Sequence, residues 1–285
     1  MKTNVFARGM DMLSEEAKRY TIHEGPNEGR VVLHSDLNNF FASVECLKHR
    51  ELAAYPVAVC GSAEERHGIV LAKNMLAKSF GIKTGQVIWQ AKQLCPSLVV
   101  LEPHYEEYVR YSHAVRRIYA AYSDRVEPFG MDEAWLELTG NLGIRTLYDG
   151  VNAAYRLRKE IYEATGLTVS IGVSDNKTFA KLASDYRKPD AVTLFGPEQY
   201  LETIAGLAIG EMMFVGRSAQ KRLKNFSIET IGDAAKGNEA LFRSLLGKNG
   251  VGLYRSACGY DTSPVQPSEA EDIIKSIGNS AARFL

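Results

Sequence analysis

Three acidic residues stand where acids are costly. Asp36 closes the short apolar run VVLHSDL, and Asp132 and Glu133 sit side by side inside the strand-like stretch VEPFGMDEAWLEL. Burying an unpaired carboxylate is expensive, so such placement asks for a cause. One reading is that Asp132 and Glu133 cap a hairpin turn and face water. The other is chemical, because carboxylates converging in a partly buried place are what hard divalent cations require. Should a compact sheet bring all three together, they suit two Mg²⁺ ions about 3.5 to 4 Å apart, clamping the attacking and leaving oxygens of a phosphoryl transfer. The third element is basic. In SDNKTFAKLASDYRKPD, Lys177, Lys181 and Lys188 recur at intervals of about one and two turns, opposite a side marked for burial by Phe179, Leu182 and Ala183. Such a stripe is either a solvated face or a counter-charge to phosphate.

The elements that must position these groups alternate in type. VVLHSDL reads as a strand, and NNFFASVECLKHRELAA reads as a helix with Asn38 or Asn39 as candidate cap, which places Asp36 at a strand's end. YPVAVCG is a further strand, SAEERHG a polar loop, and IVLAKNMLAKSFG a strand passing into a short helix stopped by Gly81. EEYVRYSHAVRRIYAAYSD is amphipathic, with Tyr108, Tyr111, Val115, Ile118 and Tyr119 forming its core-facing stripe. A second helix, LYDGVNAAYRLRKEIYEATG, precedes LTVSIGVS, whose Leu167, Val169, Ile171 and Val173 alternate onto one face. Ser174 or Asp175 is expected to cap the lysine-bearing helix, and Pro189 to end it. This alternation points to an α+β sheet with helices on one side. From about residue 200 only small helices are signalled, with a boundary near Gly196–Pro197. Residues 1–30 read as a polar appendage carrying a surface helix at MLSEEAKRY, and residues 262–285 begin as a Pro/Ser linker.

Composition narrows the classes. The chain has 285 residues, 45% hydrophobic and 24% charged, enough for two or three modules. Lys plus Arg and Asp plus Glu each number 34, so no global basic field announces a nucleic acid, although a local groove remains open. Cys46, Cys60, Cys95 and Cys258 never form a C-x-x-C pair, which argues against zinc and a disulfide framework and for a reducing cytoplasm. No signal-peptide core or membrane-length apolar run is present, so no membrane partner is expected.

The ordered blocks HSDLNNFFASVE, HGIVLAKNMLAKSFGIKTGQ, LCPSLVVLEPHYEEYVRYS, VEPFGMDEAWLELTG, VSIGVSDNKTFAKLASDYRKPD and IGDAAK…LLGKNGVGLYRSACGYD resemble the Y-family translesion DNA polymerases, nearest the Pol IV-like branch, from about residue 31 to 279. The resemblance implies an α+β right-hand core with a ferredoxin-like palm sheet, small α/β fingers and a helical thumb carrying a helix-hairpin-helix. It implies palm at 31–39 and 105–196, fingers at 40–104, thumb at 197–262, an N-terminal extension at 1–30, and a linker with the start of a little finger at 263–285. Asp36, Asp132 and Glu133 match the family's metal carboxylates, with the carbonyl of Leu37 as a further ligand of two Mg²⁺ ions. Phe40 and Phe41 match the helix start that meets the triphosphate, and Phe41 matches the steric gate that excludes a 2′-hydroxyl. Lys177 matches the triphosphate lysine.

The chain also departs from the family pattern. Met75 and Lys78 stand where the family commonly has Tyr and Arg, with Lys73 nearby as a substitute; Lys lacks the bidentate fork of Arg. In FVGRSAQKRLKNF, Gly216 remains but Phe214 replaces the first glycine of the thumb hairpin, while Arg217, Lys221, Arg222 and Lys224 keep it basic. Together with Lys181 and Lys188, the residues Gly216, Arg217 and Lys221 are the implied DNA contacts. The chain stops six residues after KSIGN, where the family continues into the little finger, so a core lacking that domain and holding DNA weakly is expected. The implied activity is template-directed DNA synthesis by a monomer, with primer-template DNA and deoxynucleoside triphosphates as partners and a sliding clamp as a further one. Two alternatives stand beside it: a weakly active or non-catalytic DNA-binding accessory of the same family, and a nucleotidyl cyclase, which the thumb signals disfavour.

Overall fold

The structure is a computed structural model that describes residues 27–61 and 68–267. The expected helix at MLSEEAKRY, most of the SAEERHG loop and the tail from residue 268 lie outside the described residues.

The described chain opens with β1 (Val32–Leu37) and α1 (Phe40–Lys48), followed by β2 (Val57–Cys60), β3 (Val70–Lys73), α2 (Met75–Ser79), α3 (Ile88–Leu94) and β4 (Val99–Leu101). Then come α4 (Tyr105–Ala120), β5 (Val126–Phe129), β6 (Glu133–Glu137), α5 (Leu147–Thr165), β7 (Val169–Ser174), α6 (Lys177–Tyr186) and β8 (Val192–Leu194). The remainder is helical: α7 (Gln199–Glu202), α8 (Arg217–Lys224), α9 (Ile231–Ala235) and α10 (Glu239–Ala257). One sheet has the order β5-β6-β1-β7-β8 and the other β3-β2-β4. β7 and β8 are parallel, so the connection between them must cross over, and α6 makes that crossing.

Two compact units emerge, one of Met1–Ser35, Trp135–Arg156 and Ser170–Val265, the other of Asp36–Ala134, Leu157–Val169 and Gln266–Leu285. In the first unit the expected one-sided sheet is corrected. A Cβ on Gly150 of α5 would lie 2.6 Å from Val31 Cγ1 and 3.1 Å from Val173 Cγ1, whereas a Cβ on Gly172 would lie 1.9 Å from the Ala180 carbonyl oxygen of α6. Gly172 and Val173 are consecutive on β7 and point to opposite faces, so α5 covers one face and α6 the other. The small residues alternating with the apolar set on β7, namely Ser170, Gly172 and Ser174, are what let a helix backbone come this close. All six residues of β7 are therefore buried.

The start of α6 also differs from expectation. Asn176, not Ser174 or Asp175, caps the helix, its Oδ1 accepting the Phe179 N–H at 2.8 Å. Ser174 is committed elsewhere, its hydroxyl donating to the Phe195 carbonyl at 2.6 Å. Asp175 accepts from Asn176 Nδ2 at 2.7 Å, and burial pushes its carboxyl above the ordinary value. The expected buried side of α6, Phe179, Leu182 and Ala183, is buried. After β8 the small helices pack around Tyr200, Ile209, Met212, Val215, Leu223, Ile231 and Phe242. Ahead of α8 stand two 3₁₀ turns, Ile204–Gly206 and Ile209–Glu211, and α10 is broken at Gly247, where φ is 64°.

In the second unit the small sheet packs on Ala77 of α2 and Ala91 of α3 through Ala58, Cys60 and Val70. Of the expected stripe α4 buries Tyr108, Val115 and Tyr119, while Tyr111 and Ile118 are only half-buried and Ser112 is buried instead. Among the described residues no helix is long and apolar enough to cross a membrane.

The two close glycines separate by what they would strike. Gly172→Ala meets backbone and should cost about 3 kcal/mol, lowering Tm by about 6 to 12 °C in a thermal melt. Gly150→Ala meets side-chain methyls that can yield and should cost under half as much; equal losses would contradict the close approach of α6.

Candidate active site

The register of β1 against β6 sets the site. Leu138 N–H donates to the Val31 carbonyl at 2.8 Å, and Leu37 N–H donates to the Asp132 carbonyl at 2.9 Å. Both bonds belong to one antiparallel register, which sets His34 opposite Trp135 and Asp36 opposite Glu133. The His34 and Trp135 rings accordingly meet edge-on at 4.9 Å. Directly opposite residues share a face, with Cβ atoms about 4.5 to 5.5 Å apart. Asp36 is only 5% exposed. Asp132 lies in the turn that leads into β6, and α4 braces that turn: Ser112 Oγ donates to the Met131 carbonyl at 2.5 Å, and Arg116 Nη2 to the Gly130 carbonyl at 2.8 Å.

Among the described residues no three His, Cys, Asp or Glu side chains are gathered around one metal position. The backbone instead supplies two carboxylates facing each other across a strand pair and a third in the adjoining turn. Like charges directly opposite destabilise a strand pair. A hard divalent cation, which takes oxygen ligands, removes that repulsion. The donor set fits such an ion.

The turn from β1 into α1 is tied to the start of β7. Asn38 N–H donates to the Thr168 carbonyl at 3.0 Å, Asn38 Nδ2 to Thr168 Oγ1 at 3.2 Å, and Ser43 Oγ to the Asn38 carbonyl at 2.7 Å. Asn39 occupies the cap position with φ 51° and no side-chain cap bond. The first amides of α1, those of Phe40 and Phe41, lack intrahelical acceptors as at any helix start.

Phe40 is buried, while Phe41 is half-buried and stacks flat on Tyr108, with centroids 4.1 Å apart and planes 9° apart; Tyr105 meets it edge-on at 5.9 Å. Beneath lies a cluster that the sequence reading missed. Glu45 is fully buried and accepts the Tyr108 hydroxyl at 2.5 Å, with His104 Nδ1 at 3.0 Å from the same carboxylate. Burial and the bond to Glu45 push the Tyr108 phenol well above its ordinary value. The signal was an acid four residues after Phe41, on the same side of an otherwise apolar helix face.

The expected phosphate cations are spread over both units. In the second, Lys73 Nζ donates to Thr84 Oγ1 at 3.1 Å; burial, then the neighbouring Lys78 cation, holds its pKa below the ordinary value. Met75 is exposed. In the first, Lys177 opens α6 with its ammonium 4.6 Å from the Trp135 ring centroid, and the Trp135 indole N–H donates to the Lys177 carbonyl at 3.0 Å. Lys181 and Lys188 share Asp185, at 3.1 and 2.7 Å, which offsets part of the expected basic stripe. Gly216 is the cap residue of α8, and Arg217 and Lys221 are exposed one turn apart on it.

The chain is similar to known proteins along nearly all of its described length. It is 50% identical to DNA polymerase IV of Acetivibrio thermocellus over 251 residues, and 38% identical to DNA polymerase IV 1 of Bacillus subtilis over 257 residues. These alignments cover 88% and 90% of this chain, which spans 62% and 61% of the length of those relatives. Among solved structures it resembles DinB from Sulfolobus solfataricus, with a TM-score of 0.76, 26% identity, and coverage of 83% of this chain and 69% of that one. An insertion ternary complex of Dbh DNA polymerase superposes with a TM-score of 0.77 at 26% identity, over 82% of this chain and 69% of that one. Residues 35–185, which carry all three carboxylates and the lysine-bearing helix, match the model of the impB/mucB/samB family, and the chain belongs to that family, the Y-family group its motifs resemble.

Proposed function

We propose that the chain is the catalytic core of a translesion-type DNA polymerase that adds deoxynucleotides to a primer 3′-hydroxyl under the direction of a template. The observation that carries this reading is the placement of buried Asp36 opposite Glu133, with Asp132 in the braced turn beside them. Asp36, Asp132, Glu133 and the Leu37 carbonyl are assigned to two Mg²⁺ ions; when bound, these neutralise phosphate charge and orient the attacking and leaving oxygens. The rest falls to the chain's own groups. The amides of Phe40 and Phe41 at the start of α1 accept the triphosphate, and Lys78, Lys73 and Lys177 supply its counter-charge. Lys73 enters because Met75 offers no donor.

Phe41 is assigned to sugar selection. A ring resting flat on Tyr108 has little freedom to turn aside, and Tyr108 is itself held by Glu45. Such a wall excludes a 2′-hydroxyl by volume. Lys181, Lys188, Gly216, Arg217 and Lys221 are assigned to the DNA backbone, and the palm, fingers and thumb divisions follow the family. The partners are primer-template DNA and deoxynucleoside triphosphates, with a sliding clamp as a third, for a chain acting as a monomer.

Primer extension with Mg²⁺ and all four deoxynucleotides tests the reading. Extension is expected, and Asp36→Asn or Glu133→Gln should reduce it about a thousandfold, the several kcal/mol that metal-assisted charge stabilisation supplies. DNA binding without extension would favour the non-catalytic accessory instead.

Phe41→Ala should raise ribonucleotide incorporation relative to deoxynucleotide by about tenfold or more. Tyr108→Phe keeps the ring, so discrimination should persist, but it leaves buried Glu45 short of a donor and should cost about 1 to 3 kcal/mol of stability. Unchanged sugar preference in Phe41→Ala would assign the gate elsewhere.

A further inference from the structure

Phe214 is out of place by every structural rule that applies to it. It is 89% exposed, the most exposed of the large apolar side chains among the described residues, and its backbone adopts φ 64°, the left-handed region that favours glycine. Neither feature reflects looseness. Its neighbours Met212 and Val215 are 4% and 7% exposed and belong to the core around Leu223 and Phe242. Val215 N–H donates to the Met212 carbonyl at 3.3 Å, and Gln220 Nε2 donates to the Val215 carbonyl at 3.0 Å. The turn is pinned on both sides, and the ring is held out into solvent.

What lies next to it is basic. α8 begins three residues later and carries Arg217, Lys221, Arg222 and Lys224 with no acid. Lys224 is paired with Glu229 at 3.0 Å, and Arg222 donates to the Leu245 carbonyl at 3.4 Å. Arg217, at the end nearer Phe214, and Lys221, one turn further along, are exposed and make no ion pair among the described residues. An exposed apolar side chain beside cations is a combination by which proteins hold duplex DNA without reading its sequence: the cations take the phosphates, and the apolar side chain packs in the groove against sugar and base edges.

We infer that Phe214 is a direct aromatic contact to duplex DNA, packing against sugar and base edges beside the phosphates that Arg217 and Lys221 neutralise. The inference rests on the reading of the chain as a DNA-binding polymerase core. It reverses the sequence expectation at this position, where loss of a hairpin glycine implies a weaker hold: the backbone N–H remains and the surface of a ring is added. A residue that strains its own backbone while exposing its whole apolar surface is kept for what it touches, not for what it stabilises.

Salt dependence separates this contact from its neighbours. Binding of a fluorescently labelled primer-template duplex by the full chain, followed by anisotropy over a series of KCl concentrations and without nucleotide, is the measurement. Phe214→Ala should weaken binding about tenfold at every salt concentration and leave the slope of log K against log[salt] unchanged, because no phosphate contact is lost. Lys221→Ala should weaken binding and lower that slope by about one. Phe214→Trp should bind as tightly as the parent. Phe226→Ala, removing a 54% exposed ring beyond the other end of α8, is the control and should change little. Phe214→Gly should melt higher than the parent, since the left-handed strain is relieved, yet bind as weakly as Phe214→Ala. Phe214→Gly or Phe214→Ala binding as tightly as the parent, or an equal loss in Phe226→Ala, would overturn the assignment. A parent that binds duplex but extends no primer would sink the polymerase reading and leave this contact standing; a parent that binds no duplex at low salt would overturn both.

Discussion

Two carboxylates facing each other across a strand pair are the constraint on which the rest of this structure depends. Asp36 and Glu133 are brought opposite one another by ladder bonds that are ordinary in themselves, and two carboxylates placed in this way are an oxygen-ligand set for a hard cation. The surroundings serve to hold it. α4 fastens the turn that carries Asp132 through Ser112 and Arg116, and the β1–α1 turn is tied to the beginning of β7 through Asn38. A site that must gather charge needs rigid backbone on both sides, and both sides are hydrogen-bonded.

The same logic recurs in the apolar parts. Phe41 does not stand alone as a wall; it rests on Tyr108, whose hydroxyl is spent on a fully buried Glu45 that His104 also reaches. A fully buried carboxylate is tolerable only with donors of this kind, and these donors fix the platform ring. Trp135 plays a comparable part for Lys177, since one indole anchors the first carbonyl of α6 and lies under its ammonium. In each case a polar group within an apolar layer fixes the orientation of a neighbouring side chain.

Much of this was legible in the residues. The strand end at Asp36, the strand that begins at Glu133, the helix at α4 and the helical character after residue 200 follow from periodicity. What was not legible depended on pairing. Sequence places three acids in two strands but does not say that Asp36 faces Glu133 while Asp132 stays in the turn, because register is set by contacts across strands. One-sided helices were expected from the alternation of helices with strands along the chain, yet Gly172 marks where α6 comes down on the other face. The cap of α6 fell to Asn176 because Ser174 was already engaged by Phe195. The stripe of Lys177, Lys181 and Lys188 has the expected spacing, but Asp185, on the same helix, takes two of its members.

If the facing carboxylates are a cation site, a divalent cation must stabilise the folded chain before any catalysis is measured. Thermal melting of the parent and of Glu133→Gln, each with and without millimolar Mn²⁺, tests this directly. With Mn²⁺, only the parent should gain appreciably, as binding to the folded state requires. An equal gain in both proteins would contradict the account.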